Sequence, residues 1–249
     1  MDIYGFYSGT VFNAYEWLGA HVTPSNVIFR TFAPNAEGVC VLIDDKEYPM
    51  NRIENGQFYE YIHDNSVIGK SYEYRIYHHG TYTDHCDPYG FSMELRPDHK
   101  SIVCDINNYS FGDGNWMRHR TDCKNQPLNI YELHLGSWKK NDWQWYNYDE
   151  LANLLIPYLK EYHYTHIEIL PISEHPCDES WGYQNTGFFA PTSRYGSPTQ
   201  LKSLIDKLHQ NDIGIILDFV PAHFALDEYS LANYDGSVLY EYPHQDVGV

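Results

Sequence analysis

Positive charge is scarce in this sequence of 249 residues: Lys and Arg together number 16 against 34 Asp and Glu, a formal charge of −18 with histidine neutral. A surface of that sign repels phosphate, which argues against nucleic acid or an anionic membrane as partner and fits a neutral ligand or plain solubility. Long apolar runs are also missing. Hydrophobic residues make up 43% of the chain, yet none of their runs approaches the roughly 20 residues that cross a bilayer. The first residues, Met1 to Phe6, hold no basic segment followed by an apolar one, so no secretion signal is read there. Cysteines are few: Cys40, Cys86, Cys104, Cys123 and Cys177 are scattered, odd in number and without C-x-x-C spacing. That pattern predicts reduced thiols in a cytoplasmic protein, and neither a disulfide framework nor a zinc site. The 14 histidines are dispersed, and His78 and His79 are neighbours that would point to opposite faces of a strand, so no metal or other cofactor is expected.

Aromatic residues are abundant, with 24 tyrosines. A tyrosine offers a flat apolar face and a polar tip, suited to sugar rings, but it is also an ordinary strand residue. The strand reading has support from Val27 to about Asp105. Val27–Phe32, Val39–Ile43, Gln57–Ile62 and Ser71–Tyr77 read as strands, the last alternating aromatic with polar, and Asn55-Gly56 and His79-Gly80 supply turns. Short strands at this spacing predict a β-sandwich of about a hundred residues. Residues 1–23 show no period, although Tyr15, Trp17 and Leu18 look like an anchor packing on the strands after them. Asp113-Gly114 and the polar run Arg118 to Gln126 read as a linker. The expected division is an extension (1–23) packed on an all-β sandwich (24–110), a linker (111–127) and an α/β segment (128–249).

In that last segment the period changes. Asn129–Leu135 and His166–Ile172 read as strands. Between them Leu151, Leu154, Leu155, Tyr158, Leu159 and Tyr162 form one face of a helix that Asn147 and Glu150 cap and Pro157 should kink. Ser173 to Gly196 reads as a long loop. Ser197-Pro198-Thr199-Gln200 is a capping box with proline at the first helical position, and Leu201, Leu204, Ile205 and Leu208 form the apolar face of the helix it opens. A third strand, Ile213 to Leu217, ends on Asp218, is stopped by Pro221 and is followed by His223. Strand–helix–strand–helix–strand implies a parallel sheet with right-handed crossovers. Ligands of such sheets bind beyond the carboxyl ends of the strands, where Asp218 and His223 stand. Asp218 reads either as a loop-holding carboxylate or as part of a substrate site. Residues 224–249 show no helical period.

Several motifs, in order along nearly the whole chain, resemble the glycogen (1,4-α-glucan) branching enzymes of the α-amylase-like glycoside hydrolase superfamily. They are Phe32-Ala-Pro-Asn-Ala36, Tyr131-Glu-Leu-His-Leu-Gly-Ser-Trp138, Glu174-His-Pro176, Ser180-Trp-Gly-Tyr-Gln184, Ala190-Pro-Thr-Ser-Arg-Tyr-Gly196 and Asp218-Phe-Val-Pro-Ala-His223. The resemblance implies a glycan-associated module followed by the first three strands and two helices of an incomplete (β/α)8 TIM barrel. Such a barrel takes about 250 residues, and Leu128 to Val249 holds fewer than half as many. Ala222 stands where many amylases carry Asn, and branching enzymes commonly have a small residue there, so the resemblance favours branching over hydrolysis.

By the same resemblance the chemistry is a retaining transfer, in which two carboxyl groups about 5–5.5 Å apart cleave an α-1,4 link and a second glucan takes the place of water. The family's nucleophile, acid/base and transition-state carboxylates lie on later strands, so no catalytic carboxylate is assigned here and the chain alone is expected to be inactive. Asp178 and Glu179 are neighbours on a loop with no strand to fix their separation. The resemblance makes Tyr183, Gln184, Asp218 and His223 the rim that meets an α-glucan: Tyr183 bordering the sugar, His223 donating to a hydroxyl, Asp218 supporting the site by hydrogen bonding. Against this, Tyr183 and His223 could be plain loop-packing residues. Glu132 and His134 alternate with apolar neighbours on the first strand, and Trp138, Trp143 and Trp145 read as helix packing before glucan platform. Two other readings stay open: a non-catalytic α-glucan-binding protein, and an amylase-type hydrolase. Three parallel strands alone leave an open edge and an uncovered face, which predicts a loosely ordered α/β segment beside a sandwich that folds independently.

Overall fold

The computed structural model describes residues 1–53, 56–120 and 125–244. Asn55 of the first turn, Cys123, part of the linker and the terminal Gly248-Val249 lie outside the described residues.

The first half is all β. A short helix α1 (Ile3–Tyr7), capped by the Asp2 side chain on the Gly5 amide, precedes β1 (Gly19–Val22), β2 (Asn26–Phe32), β3 (Gly38–Ile43), β4 (Lys46–Pro49), β5 (Asn51–Ile53), β6 (Phe58–Asp64), β7 (Ser71–His78), β8 (Thr81–His85) and β9 (Ser101–Ile102). They form two antiparallel sheets, β1-β2-β6-β5 and β4-β3-β7-β8, with β9 on β7. Strand alternation builds the core between them: Val27, Phe29 and Thr31 of β2 turn inward, as do Val39, Val41 and Ile43 of β3 and Tyr72, Tyr74 and Ile76 of β7. Asp44 and Asp45 both take positive φ (50° and 59°), the conformation that a two-residue hairpin between twisted strands requires. The extension is tied on by Phe6, whose ring meets Phe32 and Phe58, and by Trp17 on Phe58. Leu18 is wholly buried, and β1 joins the sheet next to β2.

The second half is α/β. It comprises α2 (Gly114–His119), β10 (Ile130–Leu133), α3 (Leu135–Trp138), β11 (Lys140–Asn141), β12 (Gln144–Trp145), α4 (Tyr148–Glu161), β13 (His166–Ile169), β14 (Ser173–Glu174), β15 (Gly187–Pro191), α5 (Pro198–His209) and β16 (Gly214–Leu217). Strands β10, β13 and β16 run parallel in that order. Both capping boxes form, Asn147 with Glu150 and Ser197 with Gln200. Helix α4 runs unbroken through Pro157: the proline forfeits one backbone bond, while Leu151, Ala152, Leu155 and Leu159 are wholly buried against Ile167, Leu204 and Leu208.

Four details differ from the sequence reading. β10 stops at Leu133 because Leu135–Trp138 closes a helical turn, and β13 stops at Ile169, just before Leu170-Pro171. The expected long loop holds a hairpin, β14 with β15, built on the apolar run after Gly187. Trp138 and Trp145 pack against the second core, whereas Trp143 is 91% exposed. The fourth difference is the largest. In keeping with the missing helical period, no helix or strand occurs among the described residues after Leu217, but residues 225–241 are no free loop: they run back onto the sandwich as a strap. Tyr234 is wholly buried in the sandwich core, with Leu239 and Tyr240 beside it.

Candidate functional site at the strand ends

Two loops and one strand end make the site. Beyond β13, the chain turns through Trp181 and Gly182, both at positive φ (54° and 89°). A Cβ on Gly182 would lie 2.2 Å from the Pro171 carbonyl oxygen, so only glycine passes here. That turn aims Tyr183 across the carboxyl end of the sheet, where its hydroxyl donates to Asp218 Oδ2 at 2.7 Å. Asp218 follows β16 and is itself placed by its amide, which donates to the Ile169 carbonyl. The bond to Asp218, then burial, then the negative charges of Asp218, Glu132 and Glu168 push the Tyr183 phenol up to about 12. Tyr183 is therefore a neutral donor with one face open, at 38% exposure.

Glu132 and Glu168 are partners in the β10–β13 register. Glu132 is visible in the sequence as a polar residue alternating with apolar ones; Glu168, in Ile167-Glu168-Ile169, carries the same signal, which the sequence reading missed. Their charges reach the Tyr183 phenol along with that of Asp218, and carboxylate acceptors near a tyrosine ring are a combination suited to a polyhydroxylated ligand.

His223 and Gln184 meet elsewhere. They line an open hollow of about 470 Å³ with Pro176, Phe224, Asp227 and Glu241. His223 is exposed and holds φ of 58°, a conformation that costs a non-glycine residue free energy. Thus the four residues expected at the rim fall into two adjacent pairs, Tyr183–Asp218 and Gln184–His223, joined through the 183–184 peptide.

A charged cluster supports the Tyr183 loop. Arg194, 2% exposed as a side chain, bridges Glu174 Oε1 at 2.6 Å and Asp178 Oδ1 at 2.6 Å. Arg96, from the sandwich side, also binds Asp178. Those hydrogen bonds, outweighing partial burial, hold the Asp178 carboxyl well below the usual carboxylate range. For Glu174 burial wins over its donors and pushes the carboxyl up. Asp178 is thus committed to two arginines, and Glu179 accepts from the Cys177 thiol. His134 stacks on Trp181 with centroids 5.6 Å apart, and burial, then Arg194, lowers its pKa. Among the described residues no group of three His, Cys, Asp or Glu side chains is placed to hold a metal ion, Cys40, Cys86, Cys104 and Cys177 are unpaired, and no helix is long and apolar enough to cross a membrane.

Comparison with known proteins adds the family. Residues 1–89 match the family model described as alpha-1,4-glucan branching enzyme GlgB, N-terminal domain, and residues 154–241 match that of the alpha amylase catalytic domain. The chain is 44% identical over 267 aligned residues to the 1,4-alpha-glucan branching enzyme GlgB of Nitrosomonas eutropha, covering 99% of this chain and 36% of that protein. It is 42% identical over 256 to that of Francisella tularensis subsp. novicida, covering 97% and 40%. The chain therefore spans between a third and a half of the length of these relatives. Among solved structures, a Bacillus subtilis type I pullulanase complexed with maltose superposes with a TM-score of 0.71 at 24% identity, covering 92% of this chain and 36% of that one. An Anoxybacillus pullulanase complexed with maltotetraose gives 0.70 at 22%, covering 93% and 38%. At such identities the likeness speaks for the fold alone. Over nearly its whole length the chain is similar to 1,4-alpha-glucan branching enzymes, with an N-terminal region like that of GlgB followed by a region like the alpha amylase catalytic domain.

Proposed function

We propose that this chain is the N-terminal portion of an enzyme that forms α-1,6 branches in glycogen by cutting and transferring α-1,4-glucan segments. In this reading residues 24–110 are the glycan-associated sandwich, 1–23 its extension, 111–127 the linker, and 128–249 the opening of a (β/α)8 barrel with three strands and two helices. Tyr183, Gln184, Asp218 and His223 are the rim that meets the α-glucan. The observation that carries the proposal is the Tyr183–Asp218 hydrogen bond at the carboxyl end of a parallel sheet, where barrel enzymes place their substrates, in a chain so similar to branching enzymes.

The reaction is a retaining double displacement whose two carboxyl groups stand about 5–5.5 Å apart. None of the carboxylates described above is read as either partner: Asp178 is held by two arginines, and Asp218 is a support that accepts from Tyr183. The acidic surface argues against nucleic acid or an anionic membrane as partner, and the unpaired thiols agree with a cytoplasmic location.

The test is binding of maltoheptaose to the chain, followed by calorimetry, together with an assay for cleavage and branching. Expected are saturable binding that Tyr183→Ala and His223→Ala each weaken about tenfold, a loss of the size of one good contact, and no turnover by residues 1–249. Binding unaffected by either substitution would refute the rim. Cleavage or branching by the chain itself would refute the assignment of catalysis to other residues, and amylose shortened without new branches by a longer polypeptide would favour a hydrolase.

A further inference from the structure

The segment after His223 is pinned at successive points on its way to the sandwich. The Ala225 amide donates to the Asn185 carbonyl on the loop that carries Tyr183 and Gln184. The Cys86 amide donates to the Tyr229 carbonyl at 2.8 Å, and His85 Nδ1 donates to the Ser230 carbonyl at 2.7 Å, both at the end of β8. The Tyr234 and Thr31 hydroxyls are 2.7 Å apart, and Gly236 lies against the His78 ring.

A further anchor is Asp235, which is wholly buried and, among the described residues, forms no ion pair with a cationic side chain. Its acceptors are met by neutral donors: the Asn35 amide at 2.9 Å, Asn35 Nδ2 at 3.2 Å and the Ser237 hydroxyl. Asn35 Nδ2 also reaches Ser237 Oγ at 3.0 Å. A buried carboxylate satisfied by dipoles alone depends on their geometry, because a shift within the fold strips its donors.

We propose that the sandwich is the positioning scaffold of the glucan-facing rim, and that Asn35, at the turn between β2 and β3, fixes His223 by clamping Asp235. The inference rests on the reading of His223 as a rim residue. His223 is held in a left-handed conformation that persists only where its flanks are fixed. Upstream, β16 is fixed in the sheet; downstream, the fixed point is the strap. The Ala225–Asn185 bond then sets Gln184 and His223 on the same hollow. Asn35 and Asp235 are thus positioning residues, acting through the backbone on a side chain neither touches.

The experiment uses the 249-residue chain, with amide hydrogen exchange for the strap and the NMR signal of the labelled His223 imidazole for the rim. Asn35→Asp sets a second carboxylate against Asp235 and removes two donors. Exchange of the amides from Ala225 to Asp235 should then quicken on the order of 100-fold, and the His223 signal should shift and broaden. The milder Asn35→Ala keeps the backbone donor, folds, and should give about a tenfold change. The double variant Asn35→Asp with Asp235→Asn returns a donor to face the new carboxylate and should restore both readouts. A freed strap with an unmoved His223 signal would overturn the proposal, as would a double variant no better than Asn35→Asp. Maltoheptaose binding separates the two readings: equal affinity of wild type and His223→Ala refutes the rim, while the imidazole signal alone decides the clamp.

Discussion

Tyr234 tests whether the sandwich is complete without the end of the chain. Its side chain is wholly buried, its ring centroid lies 5.0 Å from that of His85 and 5.5 Å from that of Tyr240, and its hydroxyl pairs with Thr31 inside the core. Truncation to alanine leaves a cavity the size of a tyrosine ring, a loss of ~3–5 kcal/mol, and strands the Thr31 hydroxyl for another ~1–3 kcal/mol. Tyr234→Phe keeps the ring and loses only the hydrogen bond, leaving the Thr31 hydroxyl unpaired at ~1–3 kcal/mol. With a urea slope of about 2 kcal/mol per molar, the sandwich midpoint should fall by roughly 2–4 M in Tyr234→Ala and by about 0.5–1.5 M in the phenylalanine variant. The assay is urea unfolding followed by amide exchange, because two separate cores need not melt as one. Amides of β2, β3 and β7 should lose protection while those of α4 and α5 keep theirs. If a polypeptide ending before residue 224 unfolds at the same urea concentration as the full chain, the sandwich does fold independently, and the strap is an ornament on a finished core.

Other perturbations probe single groups. Asp87 is wholly buried, accepts from the hydroxyls of Tyr72 and Tyr74 and from the Tyr89 amide, and burial pushes its carboxyl up to about 6. A raised carboxyl means that the folded state binds the extra proton, so stability falls as pH rises from about 4 to about 6 and is level above; Asp87→Asn should gain on the wild type by about 3 kcal/mol across that window, and a pH-independent difference would be fatal to the argument. Arg194→Met leaves Glu174 buried without its cation and should cost ~3–5 kcal/mol near neutrality, with a smaller loss in acid where Glu174 is protonated; unchanged stability at pH 7 would count against the cluster as a support. Gly182→Ala forces a Cβ onto the Pro171 carbonyl and should break the Tyr183–Asp218 bond, returning the Tyr183 phenol from about 12 toward ~10 in a ring-labelled NMR titration; a phenol still near 12 would show that the loop tolerates the side chain.

What the sequence made legible was periodic. Val27–Phe32 and Ser71–Tyr77 alternate because one face of each strand meets the core, and the capping boxes at Asn147 and Ser197 mark helix starts because unpaired amides need acceptors. Asp218 stands out for the same reason, as a charge at the end of an apolar strand. The strap was invisible because it has no period: Ser230, Tyr234 and Asp235 are buried one by one, each by a partner about 145 to 200 residues earlier in the chain. The Arg96–Asp178–Arg194 cluster escaped for a related reason, since a charge in a loop reads as solvated until the fold brings an opposite charge from another layer. Both omissions lie where the sandwich meets the α/β segment, and both act on the loops that carry Tyr183 and His223. Local pattern singled out Asp218, and the family resemblance named the other side chains expected at the rim, while the contacts that hold them in place are long-range, a physical reason for the two halves to share one chain.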